Sequence, residues 1–516
     1  MKINLDIKDI VRRKIRSFRK EIDELKRKRI NYLQSRSRSI VRYIIEADNR
    51  KKAILSLIVV AFVVLPSITI VEMEPKKKLY LDFDNNMAYY DLQKITSVGP
   101  NRLTGTDNEL KAAEYIEEQF ANAGLQDVTI EEYPVTCYEV DKAQVSFVKY
   151  INNSKINYPD PRYNPVMLTH LSDFVVNSYS GSTTWTSNDD DLPVVFLNSP
   201  DDINSNVAGK AVALKSSTIS SLTDAYMKVG EYGGKMIIEI NDKYHPENDY
   251  MPISKGFIKK LDNGHMAPFP DTADYSKADY ASIPGIMVSK SIGEKMLSEN
   301  YRIRATIHVT IEKRPVRIVS GEVKGKTDDF VIVGAHHDSV YAGVGAMDDG
   351  SGTVGVIGLA REMAKYVPPV TVKFVTFGGE EEGLLGSWEY YKAHKQDIDS
   401  HMVCMLNLDQ TQVNLERADS FSIISTDEKM KNDFDTIIKE LSADERYQSY
   451  SIKSVYDPSV YGVDMNSFSV EGKIGATAVG GGSYEYHTKY DTIDHIGAQS
   501  LGIIPVIYGM YIMMYL

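Results

Sequence analysis

The chain has 516 residues, of which 43% are hydrophobic and 10% aromatic, so it is long enough for two or three domains with sizeable cores. The formal net charge is −12, but residues 1–52 carry 18 basic and 7 acidic residues, which leaves a strongly acidic remainder. This balance argues against a uniformly basic nucleic-acid-binding protein. The presence of only two cysteines, Cys137 and Cys404, argues against a disulfide framework.

The first predicted element is a transmembrane anchor at residues 53–71. This stretch, AILSLIVVAFVVLPSITIV, carries no charge and is just long enough to span a bilayer as a helix. The basic arm of residues 1–52 precedes it, and the positive-inside rule places such an arm in the cytoplasm and residues 79–516 outside. The lysines at 76–78 oppose this orientation but are outnumbered. We therefore expect a single-pass protein with an extracytoplasmic body.

Two other interpretations of residues 53–71 stay open. A cleaved signal peptide usually has a shorter apolar region and a much shorter basic leader. A buried core helix fits poorly with Pro66. Within the arm, residues 10–30 form a basic segment that either lies against anionic lipid headgroups or is a solvated tail. The apolar run at 501–516 is short for a membrane span and contains Pro505, which predicts a final helix packed on the core.

Residues 79–148 are predicted to be the first part of a globular domain. Residues 108–125 have apolar positions near helical spacing and contain Gly124 as a stop, and the following VTIEEYPV alternates like a strand. From 149 to 310, loops rich in Asn, Asp, Ser and Pro separate short apolar strands, without a paired His and carboxylate motif. We interpret residues 149–310 as a β-rich lobe inserted into the domain.

Residues 311–516 are predicted to be the second part of that domain. Strands and helices alternate there: FVIVGA, a helix from about 350 to 366, TVKFVTFG, a helix from about 383 to 395, and HMVCMLNLD. This alternation indicates an α/β fold with a mainly parallel central sheet flanked by helices.

Five short acidic and histidine-bearing segments lie in the last third of the chain. They are AHHDS (335–339), GAMDDGSG (345–352), GGEEEGLLGS (378–387), LNLDQ (406–410) and YEYHTKYDT (484–492). Ligands of open α/β sheets gather outside the carboxyl ends of the strands, where these segments are expected. They offer a mixed nitrogen and oxygen donor set that suits zinc: His336, Asp348, Glu381, Asp409 and His487.

The number of donors favours two metal ions. One catalytic zinc needs three protein ligands and an open position, which is fewer than the five donors available. Two ions that share a bridging carboxylate would use all five. Glu380 is then free to act as the general base, and Asp338 is placed to orient the imidazole of His336. The sequence therefore predicts a hydrolase with two Zn²⁺ per chain.

The five segments resemble the dizinc exopeptidase family that includes bacterial and vacuolar aminopeptidases and the glutamate carboxypeptidases. The family pattern of His-x-Asp, Gly-x-x-Asp, Glu-Glu-x-Gly-Leu-x-Gly-Ser, Asn-x-Asp and His-Thr-x-x-Asp-Thr occurs here in order, and the match covers most of 311–516. ITSVGPNRLTGT resembles the family's opening. NVAGKAVALKSS and the later short strands of 149–310 resemble the protease-associated domain often inserted in this family, which implies a lid or substrate-access role for the lobe.

The resemblance also implies a role for each donor. Asp348 would bridge both ions, His336 and Asp409 would complete one site, and Glu381 and His487 the other. In the same alignment Glu380 would deprotonate the attacking water and pass the proton to the leaving amine. Glu382 would occupy a variable position, and Asp349 would cap the following helix.

The remaining charged groups near these motifs are given structural interpretations. His337 is expected on the opposite face of its strand from the donors. His401 and His495 are interpreted as surface or structural groups. Asp491 and Asp494 are interpreted as caps of the last helix.

The predicted function is that of a membrane-anchored, outward-facing zinc exopeptidase, with aminopeptidase action favoured. A glutamate-carboxypeptidase-type enzyme is the alternative, but that subgroup binds substrate carboxylates with arginines that residues 471–488 lack. A non-catalytic receptor on the same scaffold and a single-zinc glutaminyl cyclase are further alternatives, disfavoured because all five donors are present. The expected partners are peptide substrates and the membrane through residues 53–71, with no nucleic acid; a homodimer is an alternative to a monomer.

Overall fold

The computed structural model describes residues 81–151, 154–155, 165–185, 191–272, 283–298 and 301–516. The predicted anchor at 53–71 and the basic arm lie outside these ranges. Within them, Ala498–Tyr515 is long and apolar enough to cross a membrane by length and composition alone, and 72% of it is buried. Its helical part, Ile503–Tyr515, packs in the core, as predicted for the final apolar run.

The helices of the described chain, numbered in order, are α1 (Asn85–Thr96), α2 (Asp107–Ala123), α3 (Leu222–Glu231), α4 (Phe269–Thr272), α5 (Lys290–Ser298), α6 (Gly352–Met363), α7 (Leu385–Ala393), α8 (Lys395–His401), α9 (Glu428–Leu441), α10 (Asn466–Ser469) and α11 (Ile503–Tyr515). A π-helical turn, Ala346–Ser351, precedes α6. The strands are β1 (Gln126–Ile151), β2 (Ser154–Lys155), β3 (Val166–Met167), β4 (Phe174–Val176), β5 (Thr183–Thr184), β6 (Leu192–Phe196), β7 (Ala211–Lys215), β8 (Met236–Ile240), β9 (Ile258–Lys260), β10 (Met266–Pro268), β11 (Gly285–Val288), β12 (Tyr301–Val323), β13 (Phe330–His336), β14 (Thr371–Phe377), β15 (Met402–Leu408), β16 (Ser420–Ser425), β17 (Ser451–Tyr456) and β18 (Gly475–Gly480).

Helix α2 shows how local sequence sets an element's limits. The side chain of Thr106 accepts a hydrogen bond from the N–H of Glu109 and caps the first turn. Gly124 ends the helix with φ 82°, a left-handed conformation that favours glycine. Ile116 and Phe120, four residues apart, are both fully buried on the inner face. The helix predicted at 108–125 therefore forms within two residues of the expected limits.

The central sheet is mostly parallel, as predicted. Its strands follow the order β17-β16-β18-β15-β13-β14-β12, and the neighbours β18, β15, β13 and β14 all run in the same direction. Every residue of β13 is buried, as expected of a parallel strand covered by helices on both faces. The carboxyl ends of these four strands consequently meet at one edge, and the motif loops follow them there.

Two long antiparallel strands, β1 and β12, join the central sheet to the lobe. The end of β12, Ile318–Val323, pairs with β14, whereas Arg302 and Ile303 at its start pair with β6. Beyond β6 the parallel strands β7, β8 and β11 continue, and β4 pairs antiparallel with β11. Both long strands run through the limits predicted at 149 and 310, so the lobe departs from the central sheet within continuous strands.

The two cysteines are buried free thiols, and no disulfide joins them, as the sequence predicts. Cys137 lies on β1 and Cys404 on β15, and neither forms a disulfide. Burial raises the pKa of Cys404 to about 12, so this thiol stays protonated at neutral pH. Neither cysteine takes part in the site described below.

Candidate metal and active site

The structure brings the five predicted donors to the carboxyl edge of the parallel strands. His336 is the last residue of β13, and Asp409 directly follows β15. Glu381 lies in the loop after β14, and His487 lies in the loop after β18. Asp348 lies in the π-helical turn before α6. Four parallel strands thus deliver side chains that are up to 151 residues apart in the chain to one place.

The donors form two groups that share one aspartate. In the first group, His336 Nε2 lies 3.1 Å from Asp348 Oδ1, and Asp409 completes the set. In the second, His487 Nε2 lies 2.9 Å from Glu381 Oε2 and 3.2 Å from Asp348 Oδ2. Each oxygen of Asp348 therefore faces a different histidine, which is the geometry of a carboxylate placed between two sites.

Asp338 holds the parts of this site together. Its Oδ1 lies 3.4 Å from His336 Nδ1, on the side of the ring away from Asp348. Its two oxygens also accept hydrogen bonds from the N–H groups of Glu380 and Glu381, at 3.2 and 3.3 Å. The hydroxyl oxygen of Thr104 also lies 3.2 Å from it. One carboxylate thereby fixes both an imidazole and the loop that carries the two glutamates.

The pKa values of the donors reflect a strongly negative environment. Burial, reinforced by Asp348, raises the pKa of Asp409 to about 7. Burial also raises the pKa of Asp348, but hydrogen bonds from His336 and His487 outweigh it and hold that pKa below its ordinary value. Burial lowers the pKa of His487, yet Glu381 and Asp348 raise it to about 10. The same negative potential favours a cation.

These donors fit divalent metal ions. Burying several carboxylates together is costly unless they are paired or coordinate a metal. Glu381 Oε1 is buried and has no hydrogen-bond partner in the described part of the chain. This oxygen is therefore available as a metal ligand in the second group. Imidazole nitrogen and carboxylate oxygen form the mixed donor set that zinc accepts. His336, Asp348 and Asp409 would hold one ion, and Asp348, Glu381 and His487 another.

Arg102 and Asp491 support the loops that carry the donors, and the sequence prediction missed both roles. The guanidinium of Arg102 is fully buried and donates to the main-chain carbonyls of His337, Asp338, Val344 and Gly345. The carboxylate of Asp491 accepts the N–H groups of Met347 and Asp348, at 2.8 and 3.0 Å. The prediction that Asp491 caps the last helix was wrong, because its carboxylate is taken up by the turn that carries Asp348.

The other structural interpretations have mixed outcomes. His337 faces away from the donors, with Nδ1 3.1 Å from Thr376 Oγ1, as predicted. Asp349 accepts the N–H of Gly352, the first residue of α6, at 2.8 Å, whereas the N-cap position of that helix is held by Ser351. Asp494 lies in the turn Ile493–His495, well before α11, so the prediction that it caps the last helix was wrong.

His401 and His495 lie at the surface, as predicted. Their side chains are 44% and 37% exposed, and neither belongs to a donor group.

Two further buried acids were not identified from the sequence. Glu382, placed at a variable position by the motif, is 1% exposed and accepts a hydrogen bond from the hydroxyl of Thr104. Burial, with Asp338 adding to it, raises the pKa of Glu382 well above its usual value. Burial likewise raises the pKa of Asp464 to about 7, and the charge of Asp464 contributes to the raised pKa of Glu380. The only sequence signal for Asp464 was an acid within the run YGVDM.

A cavity of about 360 Å³ opens onto the donors. Glu380 lines it together with four of the donors, and its other walls are largely apolar, formed by Ile258, Met266, Leu384, Ile424, Val460, Val463 and Val479. No described residue that lines this cavity is an arginine or a lysine. Tyr486 lies at its edge, and burial, with Asp348 and Glu381, raises the pKa of this phenol well above its ordinary value. The cavity thus combines a negative floor with an apolar wall.

A mostly parallel sheet with two linked donor groups at its carboxyl edge defines an α/β fold with a candidate two-metal site. Residues 319–508 match the model of peptidase family M28.

The curated relatives include several named aminopeptidases. Leucine aminopeptidase 2 of Arthroderma otae is 34% identical over 156 residues, which are 30% of this chain and 29% of that protein. The "Probable lipoprotein aminopeptidase LpqL" of Mycobacterium tuberculosis is 26% identical over 249 residues, 43% of this chain and 50% of that protein. The chain thus spans half or less of the length of these relatives.

Solved structures share the fold over a larger part of the chain. The zinc aminopeptidase BSAP of Bacillus subtilis has a TM-score of 0.62 at 21% identity, covering 84% of this chain and 96% of that one. The aminopeptidase of Aneurinibacillus sp. strain AM-1 has a TM-score of 0.59 at 22% identity, covering 83% and 94%. The fold predicted from the motifs is therefore confirmed.

Proposed function

We propose that this protein is a zinc-dependent aminopeptidase with two ions per chain. The observation that carries the proposal is the pair of donor groups that share Asp348, placed in one cavity with Glu380. Bound zinc would supply Lewis-acid chemistry, polarising the scissile carbonyl and making water easier to deprotonate. The named relatives, which are aminopeptidases, support the same reaction class.

The protein side chains would manage the proton and the charge. Glu380, as a carboxylate, would take the proton from the attacking water and deliver it to the leaving amine. Asp338 would hold the loop of Glu380 in place through the main-chain N–H that it accepts at 3.2 Å. Tyr486 lines the same cavity, and its hydroxyl would donate to the oxygen on which negative charge develops.

The cavity favours the amino end of a peptide over the carboxyl end. A free α-ammonium group matches the carboxylates of the floor, whereas a C-terminal carboxylate needs a cation that the cavity lining does not offer. The apolar wall matches an apolar first side chain. Both features support aminopeptidase over carboxypeptidase action.

A single peptide with either end blocked would test this proposal. Leu-Gly-Phe should lose its first residue in the presence of Zn²⁺, should resist when its amino group is acetylated, and should still be cleaved when its carboxyl group is amidated. Cleavage that depends on the free carboxylate would instead support the carboxypeptidase alternative. A chain that binds zinc but cleaves none of the three peptides would support the receptor alternative.

The Glu380→Gln variant provides the matched control for this assay. It keeps the size of the side chain but removes its basicity, so turnover should fall by about 10²- to 10⁴-fold while zinc content stays near that of the wild type. Full activity in this variant would refute the assignment of the base.

We further propose that residues 53–71 anchor the protein in a membrane with the peptidase domain outside. The length and apolar character of the segment and the basic arm before it support this topology. Protease added to intact cells should cut the domain but not the arm, and the opposite pattern would refute the topology.

The lobe formed by the insert contributes Ile258 and Met266 to the cavity wall, which supports a substrate-access role of the protease-associated type.

A further inference from the structure

The lobe contacts the loop that carries His487. Ser254, in the loop between β8 and β9, donates its N–H to the carbonyl of His487 at 2.9 Å, and its own carbonyl lies 2.8 Å from His487 Nδ1. His245 Nε2 lies 2.9 Å from the carbonyl of Tyr486. Asn248 Nδ2 donates to the carbonyl of Tyr484 at 2.7 Å. We call residues 241–255, which provide these four bonds, the lobe strap.

The hydrogen bond that His487 Nδ1 donates to the carbonyl of Ser254 decides which ring nitrogen can bind a metal. A carbonyl oxygen accepts but cannot donate, so Nδ1 of His487 carries a proton in this contact. The lone pair open to a metal is then that of Nε2, the atom that faces Glu381 and Asp348. Metal-binding histidines are commonly fixed in this way by a bond from the other ring nitrogen. The lobe therefore selects the tautomer that can bind a metal.

The strap also fixes the direction of the imidazole ring. Tyr486 stacks on the ring of His487 with centroids 3.7 Å apart and an angle of 18° between the planes. The ring of Tyr486 also contacts the ring of His245 in an edge-on arrangement, with centroids 6.4 Å apart. His487 itself has a left-handed backbone with φ 58°, which is uncommon for a residue other than glycine. Such a conformation needs surrounding contacts to hold it, and the strap supplies four of them.

The strap is itself rigidly attached to the lobe. The side chain of Asn241, fully buried at the end of β8, donates to the carbonyls of Tyr244 and Met251 and accepts the N–H groups of Lys243 and Tyr244. Near its other end, Lys255 Nζ lies 3.6 Å from the buried carboxylate of Glu239 on β8. Both ends of the strap are thus tied to the same strand of the lobe.

We propose that the lobe strap is a positioning element for the metal donor His487, so that the lobe, and not the peptidase domain alone, sets the affinity of the second metal group. This inference rests on the proposed two-zinc function. His245 and Asn248 are positioning residues here, because they contact the main chain of the donor loop and not the reacting atoms. The first group, with His336 and Asp409, has no contact with the strap among the hydrogen bonds described above and should be independent of it.

The test is a zinc titration of the full-length protein with the double variant His245→Phe/Asn248→Leu. Phenylalanine keeps the ring against Tyr486 and leucine keeps the size of asparagine, so the variant removes two donors with little change in volume. Outer partners of metal ligands typically contribute about 10- to 100-fold to affinity. We expect the weaker-binding zinc to lose affinity by that factor, measured by competition with a chromogenic chelator, and the other zinc to change by less than about twofold.

A control variant separates this effect from general damage. Asn206→Leu makes the same substitution at an exposed site of the same lobe. It should bind two zinc ions as the wild type does. At saturating zinc, kcat of the double variant should return to within about threefold of the wild type, which a misfolded lobe would not allow.

The outcomes distinguish the two proposals. A wild-type protein that binds no zinc would end the proposed function. A wild-type protein that binds two ions, with a folded double variant that binds both equally well, would overturn the role of the strap alone. Equal weakening of both ions would also overturn it, because among the described residues the donor loop that accepts hydrogen bonds from the strap is that of His487. Each single variant, His245→Phe and Asn248→Leu, gives a milder form of the test if the double variant does not fold.

Discussion

The buried ion pair between Arg317 and Glu109 gives a quantitative test of the structure. Arg317 on β12 donates from Nη1 to Glu109 Oε2 at 2.5 Å, and its main-chain N–H donates to Glu109 Oε1 at 3.1 Å. Glu109 on α2 is fully buried, and Arg317 is 8% exposed. The pair ties helix α2 to strand β12 of the sheet. The perturbation is Glu109→Gln, which keeps the shape and removes the charge.

The expected loss in the free energy of unfolding depends on the contacts that Arg317 retains in the variant. Removing one partner of a buried pair typically costs about 3–5 kcal/mol, because the other charge stays buried without compensation. Arg317 retains a bond to the half-exposed Glu132 at 3.0 Å and one to the carbonyl of Thr106 at 3.2 Å, so we expect the lower end, about 3 kcal/mol. For the roughly 440 residues of this domain, an unfolding entropy of about 2.1 cal/mol/K per residue converts that loss to a Tm decrease of about 3 °C.

Thermal unfolding followed by circular dichroism measures this shift. The control is Lys313→Gln on the same strand, where an exposed lysine lies 3.5 Å from Asp271. An exposed pair contributes at most about 1 kcal/mol, so the control should shift Tm by less than about 1 °C. Equal shifts in the two variants would refute the argument that burial sets the strength of the Arg317 pair.

Two further predictions concern the site. Burial, with Glu381 and Asp409, raises the pKa of Glu380. Because a general base must be deprotonated, kcat/KM should fall as the pH decreases through that pKa. The residual activity of Glu380→Gln should lack this decrease on the acid side of the pH profile. The same decrease in the variant would assign the titration to another group. The Asp348→Asn variant removes the charge of the shared carboxylate and should reduce the zinc content, measured by elemental analysis, below one ion per chain. The Glu380→Gln variant should retain two ions. Two ions in Asp348→Asn would contradict the role of Asp348 as a shared donor.

The order of the motifs already determined the edge at which the site lies. Parallel strands that alternate with helices place every strand's carboxyl end on the same side, so residues such as His336 and Asp409, each at the end of an apolar run, had to meet. The sequence also predicts the types and the number of the donors, because these depend only on which side chains the motifs contain. The fold shared with solved structures confirms the predicted fold class.

Only the tertiary structure decided what surrounds those donors. Arg102 and Asp491 support the donor loops through main-chain groups, and main-chain hydrogen bonds leave no residue pattern from which they can be predicted. The contact of Ser254 with His487 joins positions 233 residues apart, in a lobe whose sequence shows no paired His and carboxylate motif. A strand's local pattern fixes its direction and its buried face, but which loop of one lobe reaches which loop of another follows from packing, and packing is a property of the whole fold.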